Sequence, residues 1–158
     1  MKGTLDRAYA DEKREGIPLH ARGQEAVGEK DGLRPSFGGC PVTPYEILQL
    51  LRKHEKWLAG KADGERADLS QADLSGLDLS KADLRKARMN GAVLKNCNLT
   101  GANLEGASLY AANLSDCILR KANLTKADLH GVDLKKADLT EANLEGADLR
   151  EGRMFDMS

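Results

Sequence analysis

Between Ala67 and Glu151 an apolar residue returns at every fifth position, 17 times in succession and without an insertion. It is Leu in every unit but one, where Met89 stands. Two places earlier the residue is small or apolar: Ala in 13 units, with Leu77, Cys97, Cys117 and Val132 as exceptions. Between the two lies Asp or Asn in 13 units, with Arg88, Val93, Ser108 and Ile118 departing. The phrase is A-(D/N)-L-x-x.

An α-helix cannot use this pattern, although Ala, Leu, Lys and Glu are good helix formers. A helix turns about 100° per residue, so Leu69, Leu74 and Leu79 would wander around the cylinder instead of forming one stripe. In an extended chain the first and third residues of each unit point to one side and the second to the other. Five is odd, so a continuous strand would carry alternate Leu residues to opposite faces. The chain must therefore turn within every unit, at the two variable slots, where Gly76, Gly91, Gly101, Gly106, Gly131 and Gly146 occur among Ser, Asn, Thr and Lys. A short extended segment and a turn, repeated with Leu always inside, coil around an axis as a solenoid in which each coil meets only its neighbours. The period alone does not set the number of units per coil.

The phrase resembles the consensus of the pentapeptide-repeat family, A(D/N)LXX, over 85 of 158 residues. The resemblance implies an all-β fold, a right-handed quadrilateral β-helix with four repeats per coil and about four coils. Leu69 through Leu149 and Met89 would fill the axis, with Ala67, Ala72 and their equivalents beside them. Residues 61–158 are assigned to this solenoid, and its regular repeats span 67–151.

The segment before it changes period. Thr43-Pro44-Tyr45-Glu46 is a capping-box signature with Pro near the first helical position. Ile47, Leu48, Leu50, Leu51, Trp57 and Leu58 follow at mostly helical spacing, and Gly60 is a stop signal. Residues 43–60 are therefore expected to form one N-terminal capping α-helix over the first coil. Ala62-Asp63-Gly64-Glu65-Arg66 reads as a degenerate repeat leading into it. Residues 1–42 are polar, without apolar period, and are expected to form a flexible arm. At the other end Gly152-Arg153-Met154-Phe155-Asp156 reads as an eighteenth, decayed repeat, followed by Met157; gyrase-binding members of the family dimerise there, so the resemblance implies a homodimer through Met154, Phe155 and Met157.

Composition narrows the chemistry. Lys and Arg number 24 against 25 acids, a formal net charge of −1. His20, His54 and His130 fall in three different segments and form no nucleophile–base set, so no catalytic residue is assigned. No zinc spacing or phosphate-cradling glycine loop occurs, so neither metal nor cofactor is expected. Cys97 and Cys117 are read as core residues standing in for Ala. With Cys40 the count is three, no disulfide framework is suggested, and a cytoplasmic setting fits. No apolar run approaches the length of a membrane span.

Sorting the outward residues on four faces, as the family geometry implies, places Tyr110, His130 and Arg150 in one vertical column. Tyr and Arg are favoured at interfaces, so this column is the first candidate surface for a protein partner. Val93 and Ile118, apolar at an outward slot on two other faces, are weaker candidates. The resemblance also implies an alternative, modulation of DNA gyrase or topoisomerase by DNA mimicry. That activity demands a strongly negative surface. The repeats carry 13 acids and 11 bases, well interleaved and without projecting loops, so the mimic is disfavoured. The lack of a basic face argues against direct nucleic-acid binding. The expected function is a non-enzymatic rigid scaffold that binds a protein.

Overall fold

The computed structural model describes residues 43–151, which lie in one compact unit running from Phe37 to Ser158. The expected arm at 1–42 and the expected contacts of Met154, Phe155 and Met157 lie outside the described residues.

Helix α1 spans Pro44–Leu58. Its start is the reciprocal box the sequence spelled out: Glu46 N–H donates to Thr43 Oγ1 at 3.3 Å, and Thr43 N–H donates to Glu46 Oε2 at 2.8 Å. Its end is a Schellman turn. Gly60, at φ 68°, donates to Trp57 O, and Lys61 N–H reaches Lys56 O at 2.9 Å. The chain then doubles back so closely that a Cβ on Gly64 would lie 2.2 Å from the Trp57 backbone nitrogen. The segment 62–66 is therefore not a repeat. Ala62 is exposed, Asp63 pairs with Lys56, and Glu65 N–H bonds to Lys53 O. The helix C-terminus occupies the space that another coil would need.

From Ala67 the chain coils. Parallel bridges pair each second-slot residue with one 20 positions on, Asp68 with Arg88 and Arg88 with Ser108, and so up the stack. Four such columns start at Asp68, Asp73, Asp78 and Asp83, so four repeats close one coil.

Following the five backbone N–H groups of a repeat explains the phrase. The second-slot N–H donates to the first-slot carbonyl of the preceding coil, as Arg88 does to Ala67 at 2.9 Å. The third- and fifth-slot N–H groups donate to the following coil, as Leu69 to Arg88 O and Gln71 to Asn90 O. The first-slot N–H closes a four-residue turn, as Ala72 to Leu69 O at 3.1 Å. The fourth-slot N–H meets no carbonyl. In 13 repeats its acceptor is the Oδ1 of the second-slot Asp or Asn, at 3.0 to 3.3 Å. These are Asx turns, and they account for the acid or amide in every regular unit. Arg88, Val93 and Ile118 offer no such oxygen, and Ser108 turns its hydroxyl to Asn90 Oδ1 at 2.6 Å instead.

Each turn also needs a left-handed residue at its third position, as a type II turn does. The fifth slots lie between φ 54° and 73°, and 11 of the 17 are not glycine. Each non-glycine residue there carries a steric cost.

The third-slot side chains from Leu69 to Leu134, Met89 included, are buried. The axis is not filled to the end, however: Leu139, Leu144 and Leu149 are only half-buried, because no described coil lies beyond theirs. The first coil has no such exposure, since Leu69, Leu74, Leu79 and Leu84 are all at 0 % beneath α1.

Two measurements check this account. Asn113→Ala removes the acceptor of both Ser115 N–H (3.1 Å) and the largely buried Ser115 hydroxyl (2.7 Å). It is expected to cost about 1 to 2 kcal/mol in chemical denaturation. Ala111→Gly relieves a left-handed residue at φ 54° and is expected to stabilise by about 0.5 to 1 kcal/mol, despite removing a methyl group.

Candidate partner surface

The column that starts at Asp68 carries Tyr110, His130 and Arg150 at successive fourth slots. Coil stacking alone sets their spacing. The Tyr110 and His130 rings stack with centroids 5.4 Å apart and planes inclined by 22°. Tyr110 is half exposed, at 51 %. Arg150 does not extend the stack as a free cation. Its guanidinium grips Asp148, Nη2 to Oδ2 at 2.6 Å and Nε to Oδ1 at 2.9 Å. Bonds from the Arg150 side chain and backbone hold the Asp148 carboxyl down to about 2, so it is ionised at any physiological pH. On the other side His130 Nε2 lies 3.3 Å from Glu151 Oε2.

Tyr110, His130, Asp148 and Arg150 line a recess of about 260 Å³ together with Lys126, Ala127, Asp128 and Gly146. Gly146, at φ 67°, takes the left-handed turn position here without the steric cost of a side chain. The structure thus brings Tyr110, His130 and Arg150 to one concavity. Val93 and Ile118 stay apart from it and from each other, in the columns of Asp73 and Asp78. Ile118 is 43 % exposed, whereas Val93 is half-buried.

Cys97 and Cys117 occupy inward first slots of adjacent coils, both free and buried. Their thiols donate to the Leu74 and Leu94 carbonyls. The bond with Cys97, and burial, push the Cys117 thiol up, which keeps it protonated and inert. Among the described residues no group of His, Cys, Asp and Glu is arranged to hold a metal ion, and no helix is long and apolar enough to cross a membrane.

Sequence reasoning missed His54. It lies seven residues beyond Ile47 on the same stripe of α1, and that spacing was the available signal. It is fully buried. Its Nδ1 accepts from Ala67 N–H at 3.1 Å, so Nε2 carries the proton and donates to Arg85 O at 3.0 Å. One ring thus joins the helix to both ends of the first coil. Trp57 stacks on it at 5.5 Å, with the Arg66 guanidinium on Trp57.

A stack of parallel one-bridge segments, with a turn at every corner and Leu along its axis, defines the class of β-solenoids. The chain belongs to the family described as Pentapeptide repeats, whose model matches residues 65–101, 87–125 and 117–154. The family and its solved members make the solenoid a right-handed β-helix. One similar structure is a pentapeptide repeat protein from the thylakoid lumen of Arabidopsis thaliana, 29% identical, with a TM-score of 0.54 over 58% of this chain and 66% of that one. Another is HetL, involved in heterocyst differentiation regulation in the cyanobacterium Nostoc, 38% identical, with a TM-score of 0.55 over 58% of this chain and 42% of that one. A plasmid-mediated fluoroquinolone resistance protein, QnrB1, is 32% identical over 59% of this chain and 48% of its own, with a TM-score of 0.37 that shows no close superposition. The chain spans less than two thirds of the length of these proteins. No curated protein matches it.

The His54 geometry has a pH signature. Burial lowers its pKa, against the opposing pull of the Arg85 carbonyl and Asp83, and Arg66 and Arg85 lower it further. Above the unfolded value of about 6.5 both states are neutral and stability is full. As pH falls below it the unfolded state takes the proton first, so stability drops until the folded pKa is reached. Thermal melts from pH 7.5 to 4.5 should show this loss, and His54→Gln should flatten the dependence in the upper part of that range. An unchanged slope in the variant would remove His54 as its source.

Proposed function

We propose that the chain is a non-enzymatic rigid scaffold that binds a protein through the face bearing Tyr110, His130 and Arg150. The coincidence of an exposed, stacked aromatic pair with a concavity on the same column carries this reading. About four coils, braced by backbone bonds at every level, hold the two rings in place before any partner arrives. Little side-chain entropy is then lost on binding. Tyr and Arg at the centre of such a patch are the residue types that most often anchor interfaces.

The charge pattern favours this over DNA mimicry. Four of the 13 acids in the repeats lie beside a base, Asp83 by Arg85, Asp148 by Arg150, Asp68 by Arg88 and Asp138 by Arg120, and bases are interleaved with the rest. A duplex mimic needs carboxylates free to replace phosphates. The buried free thiols suit a reducing compartment such as the cytoplasm.

The test is co-purification from the native host with crosslinking through Tyr110. Tyr110→Ala combined with Arg150→Ala should abolish capture of the partner while shifting stability by no more than about 0.5 kcal/mol per site. Capture that survives the double substitution would move the interface elsewhere. Inhibition of gyrase supercoiling by micromolar protein would replace the scaffold reading with the mimic.

A further inference from the structure

One pair of charges in the coil is not required by its turns. Asn answers the fourth-slot N–H as well as Asp does: Asn123 Oδ1 accepts from Thr125 N–H at 3.1 Å, and Asp128 Oδ1 accepts from His130 N–H at the same distance. Stacking two carboxylates is unfavourable, because like charges directly opposite each other repel. Among the 13 bridged second-slot pairs of the described residues, only Asp128 and Asp148 set one carboxylate over another. Their column holds Asp68, Asp128, Asp148 and Glu151 against Arg88 and Arg150, whereas acids and bases are equal in number in each of the other three.

Nearby bases relieve this only in part. Arg150 donates from its side chain to Asp148 alone, and Asp128 acts on it only through space. Lys126 lines the same recess and makes no ion pair among the described residues. Beyond the His130 N–H, the half-buried Asp128 carboxylate has no partner among the described residues. It shares the recess with the stacked rings of Tyr110 and His130. At about 260 Å³ that recess exceeds the roughly 150 Å³ that admits benzene and falls below the roughly 300 to 1,000 Å³ of most small-molecule pockets. One long side chain suits it better than a metabolite.

We infer that this recess receives an arginine side chain of the protein partner, its guanidinium set on the Asp128 carboxylate beside Tyr110 and His130. The inference rests on the reading of this face as the partner surface. A guanidinium is planar, always charged and weakly hydrated, so it binds a carboxylate through two donors while packing against aromatic rings. An ammonium brings the charge without the plane. An acidic side chain would find Lys126, but Asp128, Asp148 and Glu151 together outnumber Lys126 and Arg150 and oppose it. Among the described residues no group is arranged to hold a metal ion instead.

The experiment titrates the full chain with acetyl-Gly-Arg-Gly-amide, and with the same peptide carrying citrulline or Glu in place of Arg, at pH 7.5 and low ionic strength. The ring resonances of Tyr110 and His130 report occupancy by NMR. Asp128→Asn keeps the oxygen that the turn needs and removes the charge; Asp133→Asn does the same in the column of Asp73. The expected result is saturable binding of the Arg peptide, weakened at least about tenfold by Asp128→Asn or by citrulline and unchanged by Asp133→Asn. The absence of a saturable shift overturns the inference, as does equal binding of the citrulline peptide, tighter binding of the Glu peptide, or no loss in Asp128→Asn. Capture from the native host separates it from the reading beneath it. Capture abolished by Tyr110→Ala with Arg150→Ala but kept in Asp128→Asn leaves the partner face in place and overturns the arginine. Capture that survives the double substitution removes the partner face, while Arg-peptide binding that depends on Asp128 still upholds guanidinium recognition by the recess.

Discussion

Stacked coils can bond every backbone N–H of a pentapeptide except the one at the fourth slot, which the turn aims away from both neighbouring coils. That single group governs much of the protein. Answering it from within the repeat requires a short side chain with an oxygen two residues back, which means Asp or Asn. The same turn requires a left-handed residue next, and the chain accepts Lys, Glu, Gln, Asn, Asp and Ala there at 11 sites as well as glycine. With the corner bonded in this way, the third-slot residue, Leu or in one repeat Met89, can face the axis, and small residues at the first slot let the coils close. Side chains that ordinarily serve solubility are here structural as well.

A fold made by repetition has no intrinsic end. Each coil is both a template and a product, so the first and last coils present edges that the interior has already shown to be sticky. The first edge is closed by a helix whose capping box at Thr43 and Schellman turn at Gly60 keep it short. Its one buried polar ring supplies both an acceptor and a donor to the coil. The energetics of that contact differ from those of the stack. Backbone bonds and Leu packing repeated at every level hold the coils, whereas the cap is held by the burial of Ile47 and Leu48 and by one neutral imidazole, and a proton on its Nδ1 would set one N–H against another.

Much of this was legible in the order of residues, for reasons that can be located. The helix boundaries were visible because Thr43, Pro44, Glu46 and Gly60 act within a few residues of themselves. The inward Leu column was visible because a period of five excludes both continuous helix and continuous strand. The degenerate repeat at 62–66 was misjudged because Gly64 is shaped by its approach to Trp57, a contact that spacing does not reveal. His54 was passed over because nothing in its neighbours along the chain announces the Ala67 N–H and Arg85 carbonyl that it meets. The column of Tyr110, His130 and Arg150 was found by sorting residues on four faces. Its recess, and the commitment of Arg150 to Asp148, were not, since these depend on how side chains settle once stacked.

By itself the sequence determined the solenoid, the inward and outward sense of every slot, the family and the helix at Pro44–Leu58, because each rests on geometry local to a few residues. The number of repeats per coil entered only through resemblance. Tertiary structure decided it directly, by pairing residues 20 apart, and with it everything that depends on stacking: which rings meet and which acids find bases. The physical reason is range. Turn bonds and side-chain alternation act over two or three residues and are written in the phrase, whereas contacts between coils join residues a full coil apart, and no pentapeptide contains them.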